Sequence, residues 1–355
     1  MAYYLCAIFL STILVAFSQR GKISSNANTN VLFRKFCALF SVFPLAIISG
    51  LRYGNGADYF SYESIFNLVR SGIYEGTSEK GYLWLNQIIA FFTDNATILF
   101  LVTSFMICGL FFYAIYHFSE DKYLSVWLFF LTSTYFDTFN AIRQYMACAI
   151  FFNAIHYIQS KNFKKYAIMI LIATLFHTSA IVLLPIYFIC NMKLNGWKAI
   201  AILLLECIGG SAILQVLQNI LRYTPYARYI GSSEMMVDGT KQSLVYITII
   251  TVIALWQRRK GNVSSKFQLL FNMQIVTECV VVASLLIPFS RRLQMYFLPT
   301  TILFIPLLIK AEKKRVLKYL LLGIICTMYI AIMIWSLYVQ GWYTAVPYRC
   351  VLFKP

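Results

Sequence analysis

Apolar runs of membrane-crossing length recur along the whole of this chain. They cover residues 2–18, 32–51, 96–118, 123–138, 142–160, 166–176, 178–192, 198–217, 243–257, 267–289, 293–310 and 318–339. No water satisfies backbone groups inside a bilayer, so repeated spans of this kind fold as helices. Composition agrees: 60% of the 355 residues are hydrophobic and 12% are charged, roughly half the charge that covers a water-facing surface. This excludes a soluble enzyme, a disordered chain and a secreted disulfide scaffold. It predicts an all-α, polytopic membrane bundle of about 11–12 crossings, forming a single integral membrane domain over residues 1–355. The first run lacks a basic leading region and a clear cleavage site, and reads as a retained helix rather than a signal peptide.

The net charge is +17. In a membrane protein this marks cytoplasmic loops and anionic headgroups, so membrane lipids rather than nucleic acid are the expected partners. The nine cysteines include no CxxC pair, and they supply neither a metal site nor a disulfide framework. No P-loop, GxGxxG, GxSxG or HExxH motif is present. No metal or cofactor is expected. The short loops on the basic side leave no room for a nucleotide-binding domain. Chemistry is therefore expected in the membrane or at its outer face, on a substrate that arrives activated.

Basic loops set the orientation. Arg20 and Lys22, then Lys161, Lys164 and Lys165, then Arg258, Arg259, Lys260 and Lys266, then Lys310 to Lys318 belong inside. Both termini then lie outside. Lys161–Lys165 and Lys193–Lys198 fall on the same side, so the apolar stretch between them must turn back. The polar break Phe176-His177-Thr178-Ser179 marks the turn. Each arm is shorter than the roughly 20 residues needed to cross, which predicts a short broken hairpin with His177 at its outer tip.

The outer face then collects loop 52–95, with a short interfacial helix at Tyr82–Phe92, and loop 218–242. Of the eleven basic residues assigned there, eight are arginine: Arg52, Arg70, Arg143, Arg222, Arg228, Arg291, Arg292 and Arg349. Arginine grips phosphate and carboxylate with a planar fork, so the bias suggests an anionic ligand such as a pyrophosphate. Snorkelling to headgroups is the competing account. Gly54 and Gly56 allow a sharp turn that would bring Arg52 and Asp58 within reach; Asp58 could act as a base, orient an arginine or fix the loop. Glu79 either caps the following helix or takes an acid–base part. Arg143 and Gln144 open an apolar helix and need partners. His177 is either a satisfied structural histidine or a proton carrier. Glu206 and Glu278 lie within spans, where carboxylates default to function. Trp335, Tyr338, Trp342 and Tyr343 resemble an aromatic belt, with a sugar-stacking platform as the alternative.

The ordered set Gly50-Leu-Arg52-Tyr, Asp58-Tyr59 with Tyr62, Glu79-x-Gly81-Tyr82, Arg143-Gln144-x-x-Ala147, Phe176-His177-x-Ser179-Ala180 and Arg291-Arg292-x-x-x-Tyr296 resembles the EpsG family of Wzy-like polysaccharide polymerases. The resemblance runs from about residue 50 to 300 and does not extend with confidence to Tyr348-Arg349. It implies a GT-C-like helical glycosyltransferase of capsule, exopolysaccharide or O-antigen synthesis. Such an enzyme joins undecaprenyl-diphosphate-linked oligosaccharide units at the outer face of the bacterial cytoplasmic membrane. A flippase and a chain-length regulator of the same pathway would be partners. Arg143, Arg291 and Arg292, with Arg52 assisting, would hold diphosphate. Asp58 or His177 would activate the acceptor hydroxyl, and Glu79 would bind sugar or fix an arginine. Tyr59, Tyr62, Asn140, Gln144, Ser179 and Tyr296 would line the sugar or support the site. A lipid-linked oligosaccharide flippase, an O-antigen ligase and a membrane acyltransferase are the alternatives.

Overall fold

The computed structural model describes residues 1–19, 27–74, 76, 79–221, 223, 239–261, 263–286, 291–341 and 344–353. Arg20, Lys22, Glu75, Arg222, Arg228, Trp342 and Tyr343 lie outside this set, as do the side chains of Cys207 and Arg291 and most of loop 218–242. Regular structure among the described residues is helical, apart from a single bridge between Arg52 and Cys350. Six stretches are long and apolar enough to cross a membrane: 2–19, 30–50, 96–118, 265–285, 292–311 and 315–339. The chain, expected as one domain, divides into two compact units: residues 1–156, 164–184 and 329–355, and residues 157–163 and 185–328.

The first unit begins with α1 (Ala2–Gln19), α2 (Ala27–Phe40) and α3 (Phe43–Gly50). Pro44 stands in the first turn of α3, where its missing N–H costs nothing. Two helices occupy the expected outer loop, α4 (Tyr59–Arg70) and α5 (Lys80–Phe92). The sequence reading anticipated only the second. On α5, Tyr82, Asn86 and Ile89 are buried while Trp84, Ile88, Phe91 and Phe92 are exposed. That apolar outer face suits an interfacial position. On α4 the buried residues are Tyr59, Tyr62 and Phe66, one face of a helix.

There follow α6 (Ala96–Phe118), α7 (Lys122–Leu131) and α8 (Thr134–Asn140). Asn95 Oδ1 caps α6 by accepting from the Thr97 amide at 2.9 Å, and Asp121 Oδ1 caps α7 by accepting from Leu124 at 3.1 Å. The expected span 123–138 is broken at Ser133, whose φ of 62° ends α7 and lets α8 restart. Helix α9 (Ile142–Gln159) follows after one residue, Ala141.

The turned-back stretch is a hairpin. Its first arm is α10 (Phe163–Phe176); the second is a 3₁₀ turn over Thr178–Leu183 followed by α11 (Ile186–Asn191). Tyr166 Oη, early in the first arm, donates to the Leu183 carbonyl in the second at 2.6 Å. Phe163 meets Tyr187 and Phe188, with ring centroids 5.1 and 5.2 Å apart. His177 lies between the arms in extended conformation.

The second unit continues through α12 (Gly196–Leu221), α13 (Gly239–Arg259), α14 (Ser265–Leu286), α15 (Arg291–Phe297), α16 (Thr301–Ala311) and α17 (Arg315–Ile334). Asn272 on α14 donates from Nδ2 to the carbonyls of Cys190 and Met192 at 3.0 and 2.7 Å. These are orphan carbonyls at the end of α11. Glu278 accepts from Thr248 and Thr251 at 2.5 and 2.8 Å, and Glu206 lines a cavity of about 360 Å³ beside Cys279.

Arg52 shows what closes the first unit. Its side chain is 1% exposed and its guanidinium lies 4.9 Å from the ring centroids of both Phe100 and Phe139. Nε donates to the Asn55 carbonyl at 3.1 Å, Nη1 to Ser49 at 2.5 Å and Nη2 to Phe139 at 3.4 Å. The turn does form, with Gly54 at φ 63° and Gly56 at φ 101°. It delivers the Asn55 carbonyl rather than Asp58 to the guanidinium. The expected Arg52–Asp58 approach is therefore replaced by a buried hub, and this guanidinium is not open to a diphosphate. A late segment seals the loop: Asn55 Nδ2 donates to the carbonyls of Thr344 and Pro347 at 2.8 and 2.9 Å, and Tyr53 N donates to Arg349 O at 2.9 Å.

Arg52→Met retains bulk and removes every donor, leaving three buried carbonyls to find other partners. At about 1–3 kcal/mol for each buried group left unpaired, the variant should lose several degrees of melting temperature in detergent. Thermal unfolding followed by size-exclusion chromatography checks this; an unchanged melting temperature would contradict the hub.

Candidate functional site

Glu79 occupies the N-cap position of α5, but its side chain makes no capping bond. The carboxylate is turned instead toward helix α9 and the hairpin turn at His177. Oε2 accepts from Arg143 Nη1 at 2.5 Å, and Oε1 meets His177 Nδ1 at 2.6 Å. The Thr178 amide also donates to the carboxylate. One carboxylate thus joins residues 64 and 98 positions away in sequence.

The Glu79 side chain is 7% exposed, against 29% for Arg143 and 15% for His177. The acid is enclosed while its two partners reach toward the surface. Burial alone would raise the Glu79 pKa; the His177 bond, the Arg143 and His177 charges and the Thr178 amide outweigh it and hold the carboxyl below its ordinary value. An ionised Glu79 is acceptor-only, so its contact with His177 requires the proton on Nδ1. When the imidazole is neutral, the lone pair then lies on Nε2.

Arg143 stands in the first turn of α9 beside two phenol rings. Its guanidinium carbon is 6.0 Å from the Tyr62 centroid and 5.8 Å from that of Tyr82. The rings are 5.9 Å apart, near edge-to-face, and the Tyr62 hydroxyl is hydrogen-bonded to the Arg143 side chain. The aromatic faces favour a cation.

Gly81 sets the approach of α5 to the hairpin. A Cβ added there would lie 2.9 Å from Leu175 Cβ and 3.0 Å from the Leu175 carbonyl oxygen. Only a residue without a side chain lets the start of α5 lie this close to the end of α10, and so brings Glu79 to His177.

The remaining expected residues fall in different places. Asp58 is exposed at the N-cap position of α4, where negative charge is favourable, and its charge acts on Tyr62. Tyr59 is buried and stacked on Phe100 at 4.4 Å. Asn140 accepts from the Ala57 amide at 2.6 Å, a loop-fixing bond. Gln144 is buried in the first turns of α9, and Ser179 is half-buried in the turn after His177. In the second unit, Arg292 is exposed on α15 and Tyr296 is fully buried.

One acid went unnoticed in the sequence. Asp137 on α8 accepts from Tyr145 Oη at 2.7 Å. Its signal was a carboxylate at the end of an apolar run, whereas Glu206 and Glu278 stand in the interior of theirs.

The fold and site define a polytopic helical membrane protein carrying an arginine and a histidine on one buried carboxylate. The chain belongs to the EpsG family, whose profile matches residues 35–350. This is a family of Wzy-like polymerases, so the protein is a polysaccharide-biosynthesis membrane protein of the polymerase type. Comparisons with curated proteins and with solved structures give no match.

Two outcomes follow for stability. A carboxylate whose folded pKa is lowered contributes stability that is full above its unfolded value and is lost as pH falls through the folded one. Wild type should therefore lose more melting temperature than Glu79→Gln as pH drops from about 6 to below the ordinary carboxylate value near 4.3; parallel curves would sink the ion-pair assignment. Gly81→Ala should cost about 1–3 kcal/mol through overpacking and should flatten the same pH dependence by separating Glu79 from His177.

Proposed function

We propose that the Glu79–Arg143–His177 cluster is the reaction centre of a GT-C-like polymerase that joins lipid-diphosphate-linked oligosaccharide units. The observation that carries this is the shared carboxylate, which holds a candidate base and a candidate anion ligand side by side.

In this reading His177 Nε2 takes the proton of the acceptor hydroxyl. The hydroxyl oxygen forms the new bond to the anomeric carbon of the donor chain. The bond from that carbon to the diphosphate oxygen breaks, and the diphosphate leaves with the electron pair. Glu79 holds the imidazole in its useful tautomer and stabilises the imidazolium formed, as the orienting acid does in other base-assisted transfers. Arg143 offers its remaining donors to the diphosphate as charge develops on it. Tyr62 and Tyr82 confine the guanidinium and give apolar edges against which sugar can pack. Asp58, exposed nearby in the same loop, is a second acid for acceptor binding. Arg292 is a separate candidate anion ligand. The donor's anhydride-like activation removes the need for nucleotide sugar, which agrees with the short loops on the basic side. The positive-inside argument supports a site at the outer face of a bacterial cytoplasmic membrane.

The test is reconstitution of purified protein with an undecaprenyl-diphosphate-linked repeat unit, followed by electrophoresis of the glycan. A ladder of oligomers formed without nucleotide sugar is the expected result. His177→Gln should lower its rate by about 10²–10⁴, the range for loss of a general base. Arg143→Ala should abolish it while folded protein remains. Arg292→Ala is assayed alongside. Units that change leaflet without joining would instead identify a flippase, and transfer of a whole chain to a different acceptor would identify a ligase. A full-strength ladder from Arg143→Ala overturns the assignment of the centre.

A further inference from the structure

We propose that the groove between the basic ends of α12 and α13 binds an anionic phospholipid. Arg258 and Arg259 hold its phosphate, and an acyl chain runs along Ile200, Val252 and Leu255. The groove has a volume of about 510 Å³, and those three side chains line it together with Trp197, Trp256 and the two arginines.

Four observations carry this. First, the groove has an amphipathic plan: aliphatic walls run along the helices and positive charge stands at one end, the layout of a lipid rather than of a soluble anion. Second, the charges are uncommitted. Lys260 is bound to Glu312 and lies over the Trp256 ring, so it is neutralised locally. Among the described residues, Arg258 and Arg259 have no carboxylate partner. Third, Arg258 lies 4.8 Å from the Phe271 ring, and its Nη1 has neither solvent contact nor an acceptor. A buried donor without an acceptor is unfavourable, and a phosphate oxygen reached by a small rotation of the side chain satisfies it. A guanidinium fork suits that geometry. Fourth, Trp197 is 74% exposed beside these residues, as expected of an indole at the headgroup level. The basic loop that follows α13 is assigned to the cytoplasmic side, where anionic headgroups draw juxtamembrane arginines.

This site is independent of the polymerase reading. Native mass spectrometry of the full chain in detergent, given equal phosphatidylglycerol and phosphatidylcholine of matched acyl chains, tests it. Wild type should retain phosphatidylglycerol severalfold over phosphatidylcholine. Arg258→Gln/Arg259→Gln should abolish the preference, and Lys313→Gln/Lys314→Gln, which removes two charges from another basic loop, should keep it. Arg259→Gln alone, at an exposed position, should at least halve it and guards against misfolding of the double variant. Equal retention of the two lipids overturns the proposal, as does a preference that survives in the arginine variants or falls equally in the lysine variant. Displacement of phosphatidylglycerol by excess inorganic phosphate would reveal a site for soluble phosphate and would equally overturn it.

Discussion

A guanidinium taken out of water is stable only where carbonyls and rings replace the lost hydration. The first unit is organised around meeting that demand for Arg52. Its acceptors come from the end of α3, from the turn after it and from the end of α8. The Phe139 carbonyl is one of them, and the next residue, Asn140, is tied to Ala57. The junction between α8 and α9 is thereby pinned at both residues. Arg143 follows in the first turn of α9, so its position is inherited from a residue that never reaches the surface.

The second convergence is the carboxylate of Glu79. Enclosing an acid is unfavourable unless opposite charge and hydrogen bonds attend it. Arg143, His177 and the Thr178 amide supply all of these. With neutral imidazole the cluster carries no net charge, and proton uptake by His177 makes it a cation.

Much of this architecture was legible in the sequence because bilayer-length apolar runs admit few folds. The hairpin at His177 followed from side-of-membrane parity, and helix α5 from its apolar stretch. Glu79, Arg143 and His177 were each singled out, but nothing in their spacing said that they meet. Their meeting depends on Gly81 lying against Leu175, a tertiary contact with no periodic trace. Arg52 was misjudged for a related reason: in sequence a buried hub and a surface anion ligand look alike, an arginine at the end of a span beside glycines. Helix α4 was missed because Ser61, Glu63, Ser64 and Asn67 interrupt its apolar residues just after Asp58, a composition that resembles a loop. Its buried Tyr59, Tyr62 and Phe66 were visible at helical spacing all along.

The bonds that close the outer loop join residues 53–56 to residues 344–349, nearly three hundred positions later. A ribosome delivers the two partners far apart in time. The apolar helices up to α6 are made well before residues 344–349, and the loop beside Arg52 lacks its cover until those residues emerge. Maturation of this region therefore waits on a segment made nearly three hundred residues after the loop itself. The newborn protein therefore has an interval in which its early helices are made but its outer turn is still open.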